Sequence, residues 1–531
     1  MAFFNGWPWT QFQEQNLDWI IRKLKELEQD TGDLKEALEN LEQTISQDVS
    51  DILNQWLIDG TLQTLLQNIV SDRQFMAASL QSFTPTNYQA GDLVRTAGYN
   101  TSGDGGSGVY VINNSNGLLI GGIYYLPVSG ESAKAYGVDC DGIQDNADQI
   151  MNALQYTNML VFRPDDVIIL SKPVMLVNNT TIIGNGATVY VRNNNNFTDG
   201  SAMFTGNGLK NITIDNIRIQ RDTGTYHFYA ISIINGDNIK ITRSYFRNGI
   251  GYMIRLSGSN NTIIEDCQCI NVDGITGDPG GFIYLQGGTN NSFRHIRCDS
   301  ITDHAVYLDG SVTVLDFSID DIKTANQKTN TLTNGAIIAV YGNCARGTIS
   351  NIVGRLIKTG IGIYYRDGSM PNHIEVHDIV LRGVSADGIE IFGNSAAPSV
   401  PTKSYIDVSD CIINEVTQDG FSIRYANRCT IKGAFVMSAD RNSIALSYSS
   451  TNFIMNCVSV DCYGAIQIGQ QGAANNNMIV NPIDISCTYA TNVSYTGSTG
   501  NRISEPIAFN CTNPVSAITG NYIRNTAFTP T

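Results

Sequence analysis

The residues with the most chemistry to offer recur on one kind of short strand. Ten segments share an apolar-x-apolar core: Ile231-Ser232-Ile233, Ile254-Arg255-Leu256, Ile283-Tyr284-Leu285, Val306-Tyr307-Leu308, Ile338-Ala339-Val340, Ile363-Tyr364-Tyr365, Ile389-Glu390-Ile391, Phe421-Ser422-Ile423, Ile444-Ala445-Leu446 and Ile466-Gln467-Ile468. Side chains alternate along a strand, so with the apolar pair inside, the middle residue and the one after the core point outward. The outward carboxylates are Asp309 and Glu390. Two carboxyls flanking a glycosidic bond hydrolyse it when about 5–5.5 Å or 6.5–9.5 Å apart. Asp309 and Glu390 lie three segments apart, about 14 Å, too far to act as one pair. Each has a companion, Asp303 (with His304) before Asp309 and Asp387 before Glu390. Asp419-Gly420 repeats the register of Asp387-Gly388, which makes Asp387 read as a turn residue. Asp273 and Asp278, in a longer insertion before Tyr284, could lean over the same face. No pair stands out, and Glu390, Asp309, Asp387 and Asp303 form the candidate catalytic set. Arg255, Tyr284, Tyr307, Tyr341, Tyr364, Arg366, Phe392 and Arg424 share that face on successive segments. Aromatic rings take the apolar faces of sugars, and charged groups take hydroxyls and carboxylates, so these are candidate substrate-binding residues. The same aromatics would also serve as ordinary strand formers or at a subunit interface.

The elements that position them form a repeat. The first core positions are spaced 23, 29, 23, 32, 25, 26, 32, 23 and 22 residues apart, the period of a β-solenoid turn with insertions. A second strand often follows an Asn, as at Asn238, Asn261, Asn291, Asn452 and Asn477, where stacked amides would hydrogen-bond along the axis. Turns stack at about 4.8 Å, so the ten span roughly 45–50 Å. No helical period follows residue 155, which excludes a doubly wound α/β fold.

The first eighty residues differ. Leu17, Ile20, Leu24, Leu27, Leu34, Leu38, Leu41 and Ile45 make a heptad seam with Thr31 as its polar core position, predicting a coiled coil. Trp7-Pro8-Trp9-Thr10, Asn16-Leu17-Asp18-Trp19-Ile20-Ile21 and Trp56-Leu57-Ile58-Asp59-Gly60-Thr61-Leu62 resemble the N-terminal region of tail-spike or pre-neck appendage proteins of short-tailed bacteriophages. Residues 84–135 alternate turns with short strands and resemble the small β domain that precedes the body of many phage tail spikes. Its glycine run 103–108 lacks a Lys-Ser/Thr ending and opens a strand, so it is no phosphate loop. Ala135-Tyr136-Gly137-Val138-Asp139-Cys140-Asp141-Gly142-Ile143-Gln144-Asp145-Asn146, leading into Ala147–Leu154, resembles the capping motif of the pectate-lyase-like right-handed β-helix superfamily. Its acids read as turn and helix-cap residues.

These resemblances imply a mainly β chain with a right-handed parallel β-helix. Its expected parts are a helical coiled-coil virion-attachment region over 1–82, a small β domain over 83–134, the β-helix with its cap over 135–490 and a tail over 491–531. They also imply a homotrimer, phage tail or collar proteins as partners of the N-terminal region, and a place in the virion.

Composition narrows the partners. With 33 basic and 49 acidic residues the net charge is −16, which argues against duplex nucleic acid and against charge-driven membrane binding. No apolar run is long enough to span a bilayer, and the N-terminus lacks signal-peptide features. Eleven Cys without a CxxC read as buried free thiols made in a reducing host cytoplasm. No metal-ligand spacing and no cofactor motif occurs. The expected function is adsorption to a host cell-surface polysaccharide. Alternatives are an endo-acting glycoside hydrolase that depolymerises that polysaccharide, or a structural fibre without glycan binding.

Overall fold

Three strands recur in each turn, and each lies parallel to its counterpart one turn away. The computed structural model describes residues 74–529 apart from 86, 131, 192–196, 198–199, 222–227, 275–279, 329–334, 397–401, 514 and 525–526. The expected coiled coil over 1–82 lies almost wholly outside the described residues. Contacts divide the chain into two units, 1–76 with 86–94, and 77–85 with 95–531. In the first, Leu93 and Val94 are extended and the Gln89 amide donates to the Asp92 carboxylate. In the second, Gly108–Asn113, Leu118–Ile120 and Ile123–Gly130 pair antiparallel, and contacts group them with the solenoid rather than as a separate body.

The solenoid opens at helix Ala147–Ala153. The Asp145 carboxylate accepts from Ala147 N, and Asn146 Oδ1 accepts from Ile169 N at 2.9 Å, tying the helix to the first turns. A first ladder then climbs from Met159–Val161 through Thr181–Ile183 and Lys210–Asp215 to Tyr522–Arg524. A second climbs from Val167–Leu170 through Thr188–Val191 to Ala527–Thr529. A third climbs from Val174–Met175 through Phe228–Ile234 and Tyr252–Ser257 to Ser516–Ala517. The ladders therefore run past residue 490, and 491–529 continues the solenoid where a separate tail was expected. Ile503 and Ala508, paired with Ile479 and Asp484 one turn before, keep the inward pattern that the shorter strands of these last turns obscure.

The corner between the first and second ladders is one residue in the left-handed region on turn after turn. Asn216, Asp266, Asn351, Asp378, Asn456 and Asn481 have φ of 51° to 57° there. Short polar side chains tolerate that conformation, which explains the Asn and Asp content. Elsewhere buried amides stack along the axis as expected. Asn452 Nδ2 donates to Asn477 Oδ1 at 3.1 Å, and Asn477 Nδ2 to Asn501 Oδ1 at 3.0 Å. The interior is a stack of aliphatic residues, each worth about 1.5–3 kcal/mol on burial. All eleven Cys lie in it as free thiols.

One register expectation is corrected. Val340 pairs with Ile363 and Ile338 with Ile361, so the inward pair of that turn is Ile361/Ile363 and not Ile363/Tyr365. The spacings there become 23 and 28 residues. Gly362 is then the middle residue and Tyr364 the one after the core.

The second ladder carries an unexpected outer surface. Its outward column is Arg218, Tyr245, Gln268, Arg297 and Lys323 in the early turns. It then becomes Val353, Val380, Ile412, Phe435, Val458, Ile483 and Ile507. The next outward column joins it with Met437, Val460, Ile485 and Phe509. Ile412 is 49% exposed and Phe509 48%.

One inward position of this ladder is polar. Asp484 is fully buried, its Oδ2 accepting from Thr491 N at 2.7 Å while Oδ1 has no hydrogen-bond partner. Burial pushes its carboxyl up to about 6. A carboxyl raised on folding stabilises the fold below its unfolded value near 3.9, and that stability is lost as pH rises through 6, about 3 kcal/mol in all. Asp484→Asn should therefore gain stability relative to wild type as pH rises from 4 to 7, read as the difference in thermal midpoints. A pH-independent difference would remove this assignment.

Candidate functional site

The third ladder presents three outward columns. The middle-position column runs Ser232, Arg255, Tyr284, Tyr307, Ala339, Gly362, Glu390, Ser422. The column after the core runs Gln286, Asp309, Tyr341, Tyr364, Phe392, Arg424. A further outward column, two residues before the core, carries Tyr252, Gly281, His304, Ala336, Thr359, Asp387 and Asp419. All twelve expected site residues lie on or beside this one sheet. Arg366 is not a strand residue, contrary to the expected register; it follows Tyr364 and its side chain reaches back two turns to Asp309.

The aromatics touch one another. Tyr284 stacks on Tyr307 at 5.3 Å between ring centroids, and Tyr341 on Tyr364 at 4.7 Å. Tyr307 and Tyr341 meet edge to face at 5.2 Å. Tyr252 and His304, from the column that the sequence pattern does not single out, complete the stack against Tyr307. Tyr364 is buried, unlike the free outward side chain expected, because its ring folds across Gly362. A Cβ at Gly362 would meet that ring at 2.1 Å.

The acids fall into two clusters. Asp309 accepts from the Tyr284 hydroxyl at 2.6 Å and from Ser311 N at 3.0 Å, and pairs with Arg366 Nη1 at 3.2 Å. The same Arg366 nitrogen donates to the Tyr307 hydroxyl. Asp303 is wholly buried and neither of its carboxylate oxygens has a hydrogen-bond partner. It faces His304 Nε2 at 3.5 Å, and His304 Nδ1 contacts the Ala336 carbonyl. A group with no exposed surface cannot touch a polysaccharide, so Asp303 underlies the groove rather than lining it.

The second cluster holds Asp387 and Glu390 on Arg424, with Asp419 beside Asp387 and facing Arg441. Arg424 Nη2 lies 3.5 Å from Asp387 Oδ2 and hydrogen-bonds Glu390 Oε1, so those two oxygens are at most about 6 Å apart. Glu390 Oε2 accepts from the Tyr364 hydroxyl at 3.0 Å. Asp387 Oδ1 accepts from Asp419 N, and Asp419 Oδ1 accepts from the Asn442 side chain. Asp387 is thus both a stacking residue of the turn and a groove carboxyl. Asp419, one turn on in the same column, is the acid that sequence reasoning sets aside; its recurrence in the Asp387 register is the signal for it. Burial holds the carboxyls of Glu390, Asp387 and Asp419 above the usual range, with Arg424 opposing the shift at the first two and Arg441 at the third. Side-chain exposure is 9% at Glu390 and 6% at Asp387. Two close carboxyls, at least one inclined to hold its proton, have the chemistry that a general acid and its partner require. No group of His, Cys, Asp and Glu suited to a metal occurs among the described residues.

No protein-family model matches this chain, and no curated protein matches it. Solved structures do. The N-terminal fragment of gene product 12 of bacteriophage Phi29 superposes with TM-score 0.55 at 14% identity, over 75% of this chain and 70% of that one. Tailspike protein 3 of bacteriophage CBA120 gives TM-score 0.49 at 12% identity, over 79% of this chain and 65% of that one, so the chain spans less than two thirds of its length. The tailspike of E. coli bacteriophage HK620, solved with a pentasaccharide, gives 0.45 at 9%, over 74% and 80%. At these identities the likeness is one of fold, a parallel β-solenoid shared with the Phi29 gene product 12 fragment.

Tyr364→Phe keeps the stacked ring and removes the hydroxyl that favours ionised Glu390. The Glu390 carboxyl should titrate at still higher pH, followed by the infrared band of protonated carboxyl that Glu390→Gln deletes. A band that titrates as in wild type would mean the hydroxyl does not hold Glu390.

Proposed function

We propose that this protein is a phage tail spike that recognises a host cell-surface polysaccharide along the third ladder. The observation that carries this reading is the continuous aromatic stack from Tyr252 to Tyr364, flanked by charged groups on the same sheet. Sugar rings lie on such surfaces by their C–H faces while their hydroxyls meet the flanking charges.

A second observation favours cleavage as well as binding. Asp387 and Glu390 share Arg424, which keeps their nearest carboxylate oxygens within about 6 Å, close enough for the two to serve one glycosidic bond, and we read them as a retaining pair. In this reading the protonated member gives its proton to the glycosidic oxygen as the anomeric C–O bond breaks. The ionised member attacks the anomeric carbon, and water then releases the sugar with the first member acting as base. Asp309 stays with Arg366 and Tyr284 and serves binding alone. The protein would be an endo-acting depolymerase within the virion, made in the host cytoplasm and docked on phage tail or collar proteins through its N-terminal region.

A glycan array identifies the ligand, and the matching purified polysaccharide is then incubated with the protein and its reducing ends are counted. Product formation supports hydrolysis; binding without product leaves an adhesin; neither leaves a structural fibre. Glu390→Gln and Asp387→Asn should each lower the rate by about a hundredfold or more, the scale of general acid–base catalysis, with Asp309→Asn retaining most of it. Cleavage that survives both amides would remove the pair from the chemistry.

A homotrimer belongs to the same proposal. The apolar columns of the second ladder supply a surface for it, about 30 Å long at one turn per 4.8 Å, longer than a monomer ordinarily leaves in water. Ile483→Cys in the full chain should cross-link between copies with a short bis-maleimide under non-denaturing conditions. A variant that oligomerises without cross-linking would place the interface elsewhere.

A further inference from the structure

Among the described residues the arginines along the groove are paired with acids except at one end. Arg366 is paired with Asp309 and Arg424 with Glu390 and Asp387. Arg441 lies 3.9 Å from Asp419. Arg255, five turns before Glu390 on the same column, has no such partner. Its guanidinium lies 5.4 Å over the Tyr229 ring, and its buried Nε makes no hydrogen bond. Among the described residues no carboxylate pairs with it. Its neighbours in register are Ser232 on one side and Tyr284 on the other, neither of them acidic. Tyr284 already donates its hydroxyl to Asp309. A half-buried guanidinium held against a ring, with no carboxylate opposite it among the described residues, is poised for an anion from outside, and its planar fork suits a carboxylate.

We propose that Arg255 is a subsite for the carboxylate of an acidic sugar, so that the polysaccharide recognised carries a uronic-acid-type residue. This rests on the groove being a glycan site and adds the class of glycan. The ring of that sugar would lie on Tyr284 beside the guanidinium. Arg255 and Glu390 are about 24 Å apart along the axis, so the acidic residue would sit several sugars from the bond at Asp387 and Glu390. The subsite would then act through binding and leave the chemical step alone.

The test uses the full chain with two probes that share a ring, glucuronate and glucose, in ligand-observed saturation-transfer NMR titrations. Glucuronate should bind about fivefold or more tighter than glucose, and Arg255→Gln should erase the difference while Arg502→Gln, an exposed arginine outside the groove, leaves it. Thermal melting confirms that both variants fold. Equal affinities, no saturable signal from either sugar, or an unchanged preference in Arg255→Gln would overturn the proposal. Array binding that depends on Tyr307 without preference for acidic glycans would remove this subsite and leave the groove reading standing. Absence of binding to any glycan would remove both.

Discussion

The structure depends on one constraint, the in-register stacking of each turn on the last at the hydrogen-bond spacing of a parallel sheet. Once a turn is in place its neighbour can shift only by slipping whole residues, and a one-residue slip would turn every inward aliphatic side chain out. The sequence of each turn is therefore read out as a row, and equivalent residues of many turns become columns. Columns are what the functional surface is made of. Tyr284 above Tyr307, and Tyr341 above Tyr364, are neighbours through that stacking although more than twenty residues separate them in the chain.

The same stacking crowds charges. Acids placed on adjacent turns, such as Asp387 and Asp419, are pressed together in a half-dry groove, where ionising both is costly. The chain answers with arginines that reach across turns. Arg424 spans Asp387 and Glu390, and Arg366 reaches two turns back to Asp309 and Tyr307. Backbone amides and Asn442 take the remaining lone pairs at Asp387 and Asp419. The carboxyls nonetheless stay above their ordinary range, because burial outweighs these contacts. Asp309 is held apart from the Asp387–Glu390 pair, by the Tyr284 hydroxyl, the Ser311 amide and Arg366.

Much of this is legible in the amino-acid sequence. The apolar-x-apolar core places nine of ten turns in register and puts the aromatics and acids on one face. It fails at Ile363-Tyr364-Tyr365 because Ile361-Gly362-Ile363 is an equally good core with its outward residue missing, and a glycine leaves no pattern to count. The column two residues before the core escapes for a related reason: at Gly281 and Ala336 it is nearly blank, so Tyr252, His304, Asp387 and Asp419 do not look like a series. Long-range reach is not encoded in period at all. Nothing in the spacing of Arg366 says that its guanidinium lies on Asp309. The last turns are hidden because their strands shorten to two or three residues, too few to show an alternation.

Those blank positions explain the groove's rigidity. Rings in one column on successive turns, about 4.8 Å apart, would have to stand side by side, each free to rock. Here the Tyr252 ring lies across the space above Gly281, where a Cβ would meet it at 2.5 Å, and the Tyr364 ring lies across Gly362. The Tyr252 ring thus covers two turns and the Tyr364 ring lies flat along its own, and neighbouring rings sit 4.7 to 5.9 Å apart along the stack. Hydroxyls at Tyr284 and Tyr364 are anchored on the two acidic clusters, so the rings cannot lift without breaking a charge-assisted hydrogen bond. A ligand laid on this surface, such as the proposed polysaccharide, would order few side chains, sparing an entropic cost of about 0.5–1.5 kcal/mol for each one already held. The glycines, conspicuous only as gaps in the aromatic pattern, are what turn a row of tyrosines into a preformed platform.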